Sequence, residues 1–434
     1  MKSARYFKLF LWPILVVILS GCTHHYPSLS FGLSQTTPAT WTLTLTNTSK
    51  TNINVGSVII SSSLMNAGMT ATSTNCTSIY PLASCSYLLT ATQPNTIGTP
   101  ISGTITVNAN ASGDNLSETL TATITPVLYA GTSTGVSLWD GSSWTAISGS
   151  PTSVKALTFD ATGNLYAGTA TGTNDVKEWN GSIWSNVGSV FTPTNVYALV
   201  FNPSNNYLYA GCHNLITGCR VRQWDGLTWS DTGTSIPTDV NTLAFDASGN
   251  LYAGSGSNGS NNVQELVAGG SGTWSAIGSI TKINALIFDT NWSLYAGTND
   301  DTSGVYELNI LTSSWNPVNS SGIPPSVNAL AFDKSGNLYA GIGPTGGATP
   351  ISYVYKLTGG SWGALGALTL SVNSLVFDAS GNLYAGTNAS SPNNAVQEFL
   401  ADPATISWNP VGASNTPSNV TALAISNQLY VQLP

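Results

Sequence analysis

The chain has 434 residues, of which 7% are charged and 41% hydrophobic, with 43 glycines and a formal net charge of −8. That balance is too apolar for a disordered chain and too poor in Lys and Glu for a helical one, and without clustered cations it argues against nucleic acid as a partner. Ser, Thr and Asn carry the polarity, with 13 Trp and 17 Tyr, which are residues of strands and turns.

Residues 1–8 are basic, 9–19 form an almost unbroken apolar run, and Ser20, Gly21 and Cys22 follow. These are the three parts of a secretory signal. The run is too short for a membrane span, which needs ~20 apolar residues, and Pro13 interrupts it. Leu19-Ser20-Gly21-Cys22 resembles a bacterial lipobox. The resemblance implies a signal peptide over residues 1–21, cleavage before Cys22, lipidation of its thiol and a tether over 22–29. The bilayer is then a partner through acylated Cys22, and the protein belongs to the bacterial cell envelope. The alternative is an ordinary secreted protein with a cysteine at the cleavage site. Thr23 does not match the Asp associated with inner-membrane retention, which favours the outer membrane.

Cys76 and Cys85 lie nine apart, and Cys212 and Cys219 seven apart. Two short-range disulfides are the simplest reading outside the cytoplasm. His213 beside Cys212 raises a metal site as an alternative, but three ligands without a second knuckle make a poor one. No metal or cofactor is expected.

Over residues 30–126, the segments 41–47, 53–61, 86–92, 101–108 and 118–126 read as strands, rich in Thr, Val and Ile and separated by turn residues. So many strands in so short a stretch predict a β-sandwich. Asn75-Cys76-Thr77, Leu82-Ala83-Ser84-Cys85 and the strand beginning at Gly103 resemble bacterial immunoglobulin-like domains, with Ala83 or Ser84 where that family often has Gly. The resemblance implies a spacer or adhesive module without a catalytic set.

Residues 127–434 repeat one motif. Leu-Tyr-Ala-Gly begins at Leu128, Leu165, Leu208, Leu251, Leu294, Leu338 and Leu383, with an echo at Leu429. The intervals are 37, 43, 43, 43, 44, 45 and 46 residues. A period in the low forties marks a four-stranded propeller blade. In each repeat a run such as 327–333 is strand A, Leu-Tyr-Ala-Gly is strand B, a run such as 305–308 is strand C, and a Trp opens strand D. Asp160, Asp246, Asp333 and Asp378 precede x-x-Gly-Asn, a turn in which Asp accepts backbone bonds and Gly supplies positive φ. Structure accounts for these Asp residues better than calcium does. Asp140-Gly141, Asn180-Gly181 and Asp225-Gly226 suit tight hairpins between C and D.

The fold class is therefore all-β: a small immunoglobulin-like sandwich followed by a seven-bladed β-propeller. The first repeat begins at strand B, so its strand A must come from residues 419–425, tying the termini together. The Leu429 copy either displaces Leu128 in that blade or lies beside it. The full pattern, from Phe-Asp-x-Ser-Gly-Asn-Leu-Tyr-Ala-Gly to the Trp of strand D, resembles NHL, kelch-like and regulator-propeller repeats of bacterial proteins. Those folds host binding proteins and enzymes alike.

The A–B and C–D turns are uniform and share one face. The B–C loops and D–A connections vary and open onto the other, where the channel mouth is. Varied loops on a rigid scaffold are the usual seat of recognition; neutral drift is the alternative. Candidate ligand-binding residues there are Asn174, Asp175, His213, Arg220, Arg222, Asn261, Asn262, Asp300, Asp301, Asn393 and Asn394. A second group starts strand A: Lys155, Tyr197, Asn241, Asn284, Asn328, Asn373 and Thr421. Its four Asn suggest a polar ring, either for a ligand or satisfying neighbouring backbones. Amides, hydroxyls and aromatic rings suit a glycan or protein ligand.

Two function classes remain: a non-catalytic binding scaffold, and a carbohydrate-active or lyase-type propeller enzyme. Trp-Asp-Gly-x-x-Trp is one residue short of a sialidase Asp-box. Beyond the signal only Arg220 and Arg222 could bind a carboxylate as those sites do. A glycoside hydrolase needs two carboxylates roughly 5–9.5 Å apart, and Asp175, Asp300 and Asp301 sit in nonadjacent blades. No Ser-His-Asp set stands out, and the scaffold is the expectation.

Overall fold

The computed structural model describes residues 29–432 apart from 38–39, 67, 74–75, 92–100, 112–113, 190–191, 214–219, 235–238, 257–261, 269–271, 300–302, 319–325, 344–352, 391–394, 403–404 and 413–415. The signal segment, Cys22, Cys219, Asn261, Asp300, Asp301, Asn393 and Asn394 lie outside the described residues. Among the described residues no helix is long and apolar enough to cross a membrane.

The chain forms two compact units, the first made of residues up to Thr125 together with the tail from Asn427, and the second running from Pro126 to Ser426. In the first, β1 (Leu29–Thr37), β2 (Thr40–Asn47), β6 (Ser84–Ala91) and β4 (Met69–Ser73) form one sheet in the order β1-β2-β6-β4. The other is β5 (Ser78–Ile79), β3 (Ile53–Ile60), β7 (Ile101–Ala111) and β8 (Asp114–Gly131), in the order β5-β3-β7-β8. Burial alternates along β2 and β6, so this first sheet turns one face inward. Leu43, Leu45, Leu89, Ile105, Leu120 and Ile124 are fully buried between the two sheets. The Cys76–Cys85 disulfide joins the segment before β5 to β6. Helix α1 (Ser62–Asn66) buries Leu64.

The second unit is a propeller of seven blades. Six are four-stranded antiparallel sheets with strands A to D in chain order, and their A strands are Val154–Phe159 (blade I), Val196–Phe201 (II), Val240–Phe245 (III), Ile283–Phe288 (IV), Val327–Phe332 (V) and Val372–Phe377 (VI). Blade VII joins the two ends. Its A strand is the start of Ala422–Gln432, which pairs with β8, and Leu128–Gly131 of β8 then pairs with Val136–Trp139, followed by Trp144–Ala146. The Leu128 copy therefore fills the B position. The propeller does not run to residue 434: from Asn427 the tail clusters with the first unit. With B already paired to C, the propeller has no place for a second copy.

Each letter of Leu-Tyr-Ala-Gly has a packing role. Leu and Ala are buried in every blade. The Gly is where the next blade seats its first residue. A Cβ at Gly131, Gly168, Gly211, Gly254, Gly297, Gly341 or Gly386 would come within 2.5–2.7 Å of a methyl of the Val or Ile opening the neighbouring A strand. Tyr meets the Phe of the next A strand edge-on. Six such pairs, from Tyr129–Phe159 to Tyr339–Phe377, have centroids 5.0–5.4 Å apart. The strand D Trp reaches the opposite way. Nε1 of Trp144, Trp229, Trp315, Trp362 and Trp408 donates to a carbonyl of the preceding blade at 2.7–2.9 Å, and Trp274 donates to Thr232 Oγ1. These contacts explain why sequence period and blade period coincide.

Candidate functional site

Every A strand of blades I to VI begins with the same irregularity. The pairing with strand B skips one residue, between Val154 and Ala156 in blade I and at the equivalent place in the others. The skipped residues are Lys155, Tyr197, Asn241, Asn284, Asn328 and Asn373. A bulge leaves its extra residue out of the ladder and re-aims the side chain. Here it creates a ring of side chains that link one blade to the next.

In five blades the ring residue donates to the first carbonyl of the next A strand. Asn241 Nδ2 donates to Ile283 O at 3.0 Å, Asn284 to Val327 O at 3.2 Å, Asn328 to Val372 O at 3.1 Å and Asn373 to Val420 O at 2.9 Å. Thr421 Oγ1 completes the step from blade VII to blade I, 2.6 Å from Val154 O. Asn284 Nδ2 also lies 3.2 Å from Asn328 Oδ1, so neighbouring amides are in contact. The amide N–H groups of these four Asn candidates are committed to inter-blade bonds. They build the circle before they could serve a ligand.

The circle is interrupted in blades I and II. Among the described residues no side chain donates in this way to Val196 or Val240. Instead Lys155 Nζ lies over the Tyr197 ring, 5.4 Å from its centroid. The other neighbour of Tyr197 is His213, whose ring centroid is 4.8 Å away with a 30° interplanar angle. His213 stands just after strand B and is exposed, and its backbone N–H donates to Asn195 O at 2.8 Å. In blades III and V the position equivalent to His213 is glycine (Gly256 and Gly343), and a Cβ there would run into the ring Asn. Ammonium and phenol thus occupy slots that elsewhere hold a staple, with the imidazole beside them. Lys155 and Tyr197 stand in the ring, and their departure from its Asn members is the one sequence signal that sets them apart.

The other candidates divide. Asp175 is fully buried and is a structural hub. Its carboxylate accepts from Thr169 Oγ1 at 2.9 Å, Thr171 N at 3.0 Å, Gly172 N at 2.7 Å and Asn195 N at 2.7 Å, and from the Thr171 hydroxyl. Burial pushes its carboxyl up, but donation from Thr171, Asn195, Thr169 and Gly172 outweighs it and holds the group below its ordinary value. Asn174 has φ 50° and accepts from Thr192 Oγ1 at 2.5 Å. Asn262 is buried, and its backbone joins Ser255 and Ile280. Arg222 is paired with Asp231 at 3.2 Å. Arg220 is exposed, and its carbonyl accepts from Cys212 N. Cys212 is disulfide-bonded; Cys219, to which the spacing assigns it, lies outside the described residues.

The turn face carries the protein's other polar clusters. Asp160, Asp246, Asp333 and Asp378 each accept from backbone N–H groups two and four residues ahead and from the Asn side chain at the latter position. Beside them a strand B Tyr meets a strand C carboxylate, as in Tyr252–Glu265 at 2.6 Å and Tyr384–Glu398 at 3.0 Å. Burial, then the charges of Glu307 and Asp289, pushes Tyr295 up to about 12. Burial also raises Glu178 and Glu398. The repetition of this arrangement from blade to blade marks it as part of the blade rather than of one site.

No family model matches the chain, and no curated protein matches it. Several solved structures resemble it in fold. An extracellular domain of a hybrid two-component system from B. thetaiotaomicron is 18% identical over 66% of this chain and 38% of its own, with a TM-score of 0.50. The GH74 xyloglucanase from Xanthomonas campestris is 14% identical over 67% of this chain and 52% of its own, at 0.51. A functionally unknown protein from Desulfotomaculum acetoxidans is 11% identical over 69% of this chain and 98% of its own, at 0.51. The chain therefore spans about two fifths of the first of these proteins and half of the second. The likeness is one of propeller-type fold.

Proposed function

We propose that this protein is a non-catalytic binding scaffold of the bacterial cell envelope, anchored through acylated Cys22, whose propeller holds a glycan or protein ligand at the channel mouth. The observation that carries the reading is the interruption of the staple circle at Lys155 and Tyr197, with His213 stacked on the gap. A ring position that forms an inter-blade bond in five blades gives up that bond in the other two and presents chemistry-bearing groups instead. Stability exchanged for exposed function is the usual mark of a binding site.

Neither the ring positions nor the described positions just after strand B, such as Ala170, His213, Gly256 and Asn299, hold the facing carboxylates that glycoside hydrolysis needs. The Cys76–Cys85 disulfide supports an oxidising compartment.

The test is a glycan and protein array probed with the full-length chain and with its Tyr197→Ala variant. Hits that vanish in the variant support the reading. Hits that survive it put the ligand elsewhere.

A further inference from the structure

The ring and the positions behind it contain one permanent cation and no acid. Lys155, Tyr197, four Asn and Thr421 make the ring, and Ala170, His213, Gly256, Asn299, Gly343 and Asn388 stand behind it. Of the acids on this face, Asp175 and Asp239 are buried at 0% and 6% exposure, and Asp300 and Asp301 lie outside the described residues. Among the described residues the one ion pair is Arg222–Asp231, so no described carboxylate lies within bridging distance of Lys155.

Two features converge there. Lys155 offers an ammonium held over the Tyr197 ring. Tyr197 and His213 form a tilted aromatic pair with the imidazole exposed. A ligand matching both carries a carboxylate and an apolar face close together.

We propose that this sector binds an acidic saccharide, with the carboxylate of a uronic-acid residue on Lys155 and a face of the sugar ring against Tyr197 and His213. The proposal deepens the binding-scaffold reading and rests on it. A neutral sugar would cover the Lys155 ammonium without a counter-charge, which costs free energy. A peptide carboxylate would satisfy Lys155. However, it needs a second residue to cover the aromatic pair, whereas a uronic-acid residue carries the carboxylate and an apolar face on one ring.

The experiment is titration calorimetry of the full-length chain. Its probes are trisaccharides of galacturonate, glucuronate and mannuronate, their methyl esters, and the neutral galactose, glucose and mannose trisaccharides. The expected result is that at least one uronate binds. Esterification, Lys155→Met and Tyr197→Ala should each weaken it about tenfold or more, with the unfolding midpoint of Lys155→Met no lower than the parent's. If a neutral trisaccharide binds as well as its uronate, and Tyr197→Ala weakens both while Lys155→Met weakens neither, the sector is the site but the acidic class is wrong. If a uronate binds and neither variant affects it, both readings fall. If no saccharide binds while an array protein or peptide is lost in Tyr197→Ala, the saccharide proposal falls and the site stands.

Discussion

The Thr421 hydroxyl lies 2.6 Å from the carbonyl of Val154, joining residues 267 apart in sequence. The same oxygen is 3.0 Å from Gly131 O, and Thr421 N donates to that carbonyl at 2.9 Å. One residue therefore touches the B strand of its own blade and the A strand of the next at the point where the propeller closes. Thr421→Val removes the hydroxyl and leaves the Val154 carbonyl without its side-chain donor. The expected loss is about 0.5–1.5 kcal/mol, read as a lower denaturation midpoint. Thr421→Asn places there the residue used in four other blades and should recover most of it. A Val variant as stable as the parent would show that this bond does not hold the ring shut.

Glycine within a strand ordinarily weakens it, so Gly254→Ala should stabilise the protein if propensity alone mattered. The packing predicts the reverse sign. A Cβ there would lie 2.6 Å from Ile283 Cγ2 and 2.6 Å from Thr242 Cγ2. Overpacking of this kind costs about 1–3 kcal/mol. Adding Ile283→Ala to Gly254→Ala should yield a favourable coupling energy in a double-mutant cycle. Simple additivity would mean the two positions do not collide.

Trp229 and Trp184 occupy the same place in adjacent blades but differ in one bond. Trp229 Nε1 donates to Val187 O at 2.7 Å, whereas Trp184 Nε1 is buried without a hydrogen-bond partner. Trp229→Phe should cost about 1–3 kcal/mol, because it strands a buried carbonyl. Trp184→Phe removes a buried donor that was already unsatisfied and should cost less. Equal losses in chemical denaturation would overturn the distinction.

Two carboxylates should respond to pH with opposite signs. Asp175 is held below its ordinary 3.8, so its stabilising contribution is complete above that value and fades as pH falls below it. Asp175→Asn should be less stable than the parent at neutral pH and show a shallower loss in acid. Glu178 is raised above its ordinary 4.5, chiefly by burial, so its contribution is favourable below that value and is lost as pH rises through the raised one. Blade II already uses Gln223 as the Tyr209 acceptor, at 2.7 Å. Glu178→Gln should therefore match or exceed the parent at pH 7, with any gain shrinking on acidification. Denaturation midpoints between pH 3 and pH 7 decide both.

Blade number and the source of the closing strand were legible because the repeat encodes its own packing. Leu128, Tyr129 and Gly131 read as strand B, and only the tail could supply the A strand. The bulge was not legible. Alternation of period two gives no sign that Asn241 is an inserted residue, so its amide could be read as a ligand contact or as a staple. Asp175 was misread for a related reason. A sequence shows a loop carboxylate, but not that donors from residues 169 to 195 converge on it. In the first unit, β4, β5 and α1 escaped notice because their short stretches carry little hydrophobic period, whereas β1 was missed although Leu29, Phe31 and Leu33 alternate along it. The Lys155–Tyr197–His213 cluster needed both the ring and its interruption, and the interruption becomes visible only once the other blades are seen to be stapled.

The central claim is that Lys155 and Tyr197 replace inter-blade staples in order to bind. The most direct measurement is the thermal unfolding midpoint of Lys155→Asn beside its array profile. The Asn should reach Val196 O as Asn241 reaches Ile283 O, adding about 1 kcal/mol and raising the midpoint by about 2 °C, while the parent's ligand is lost. A midpoint at or below the parent's, with ligand binding retained, would contradict the account.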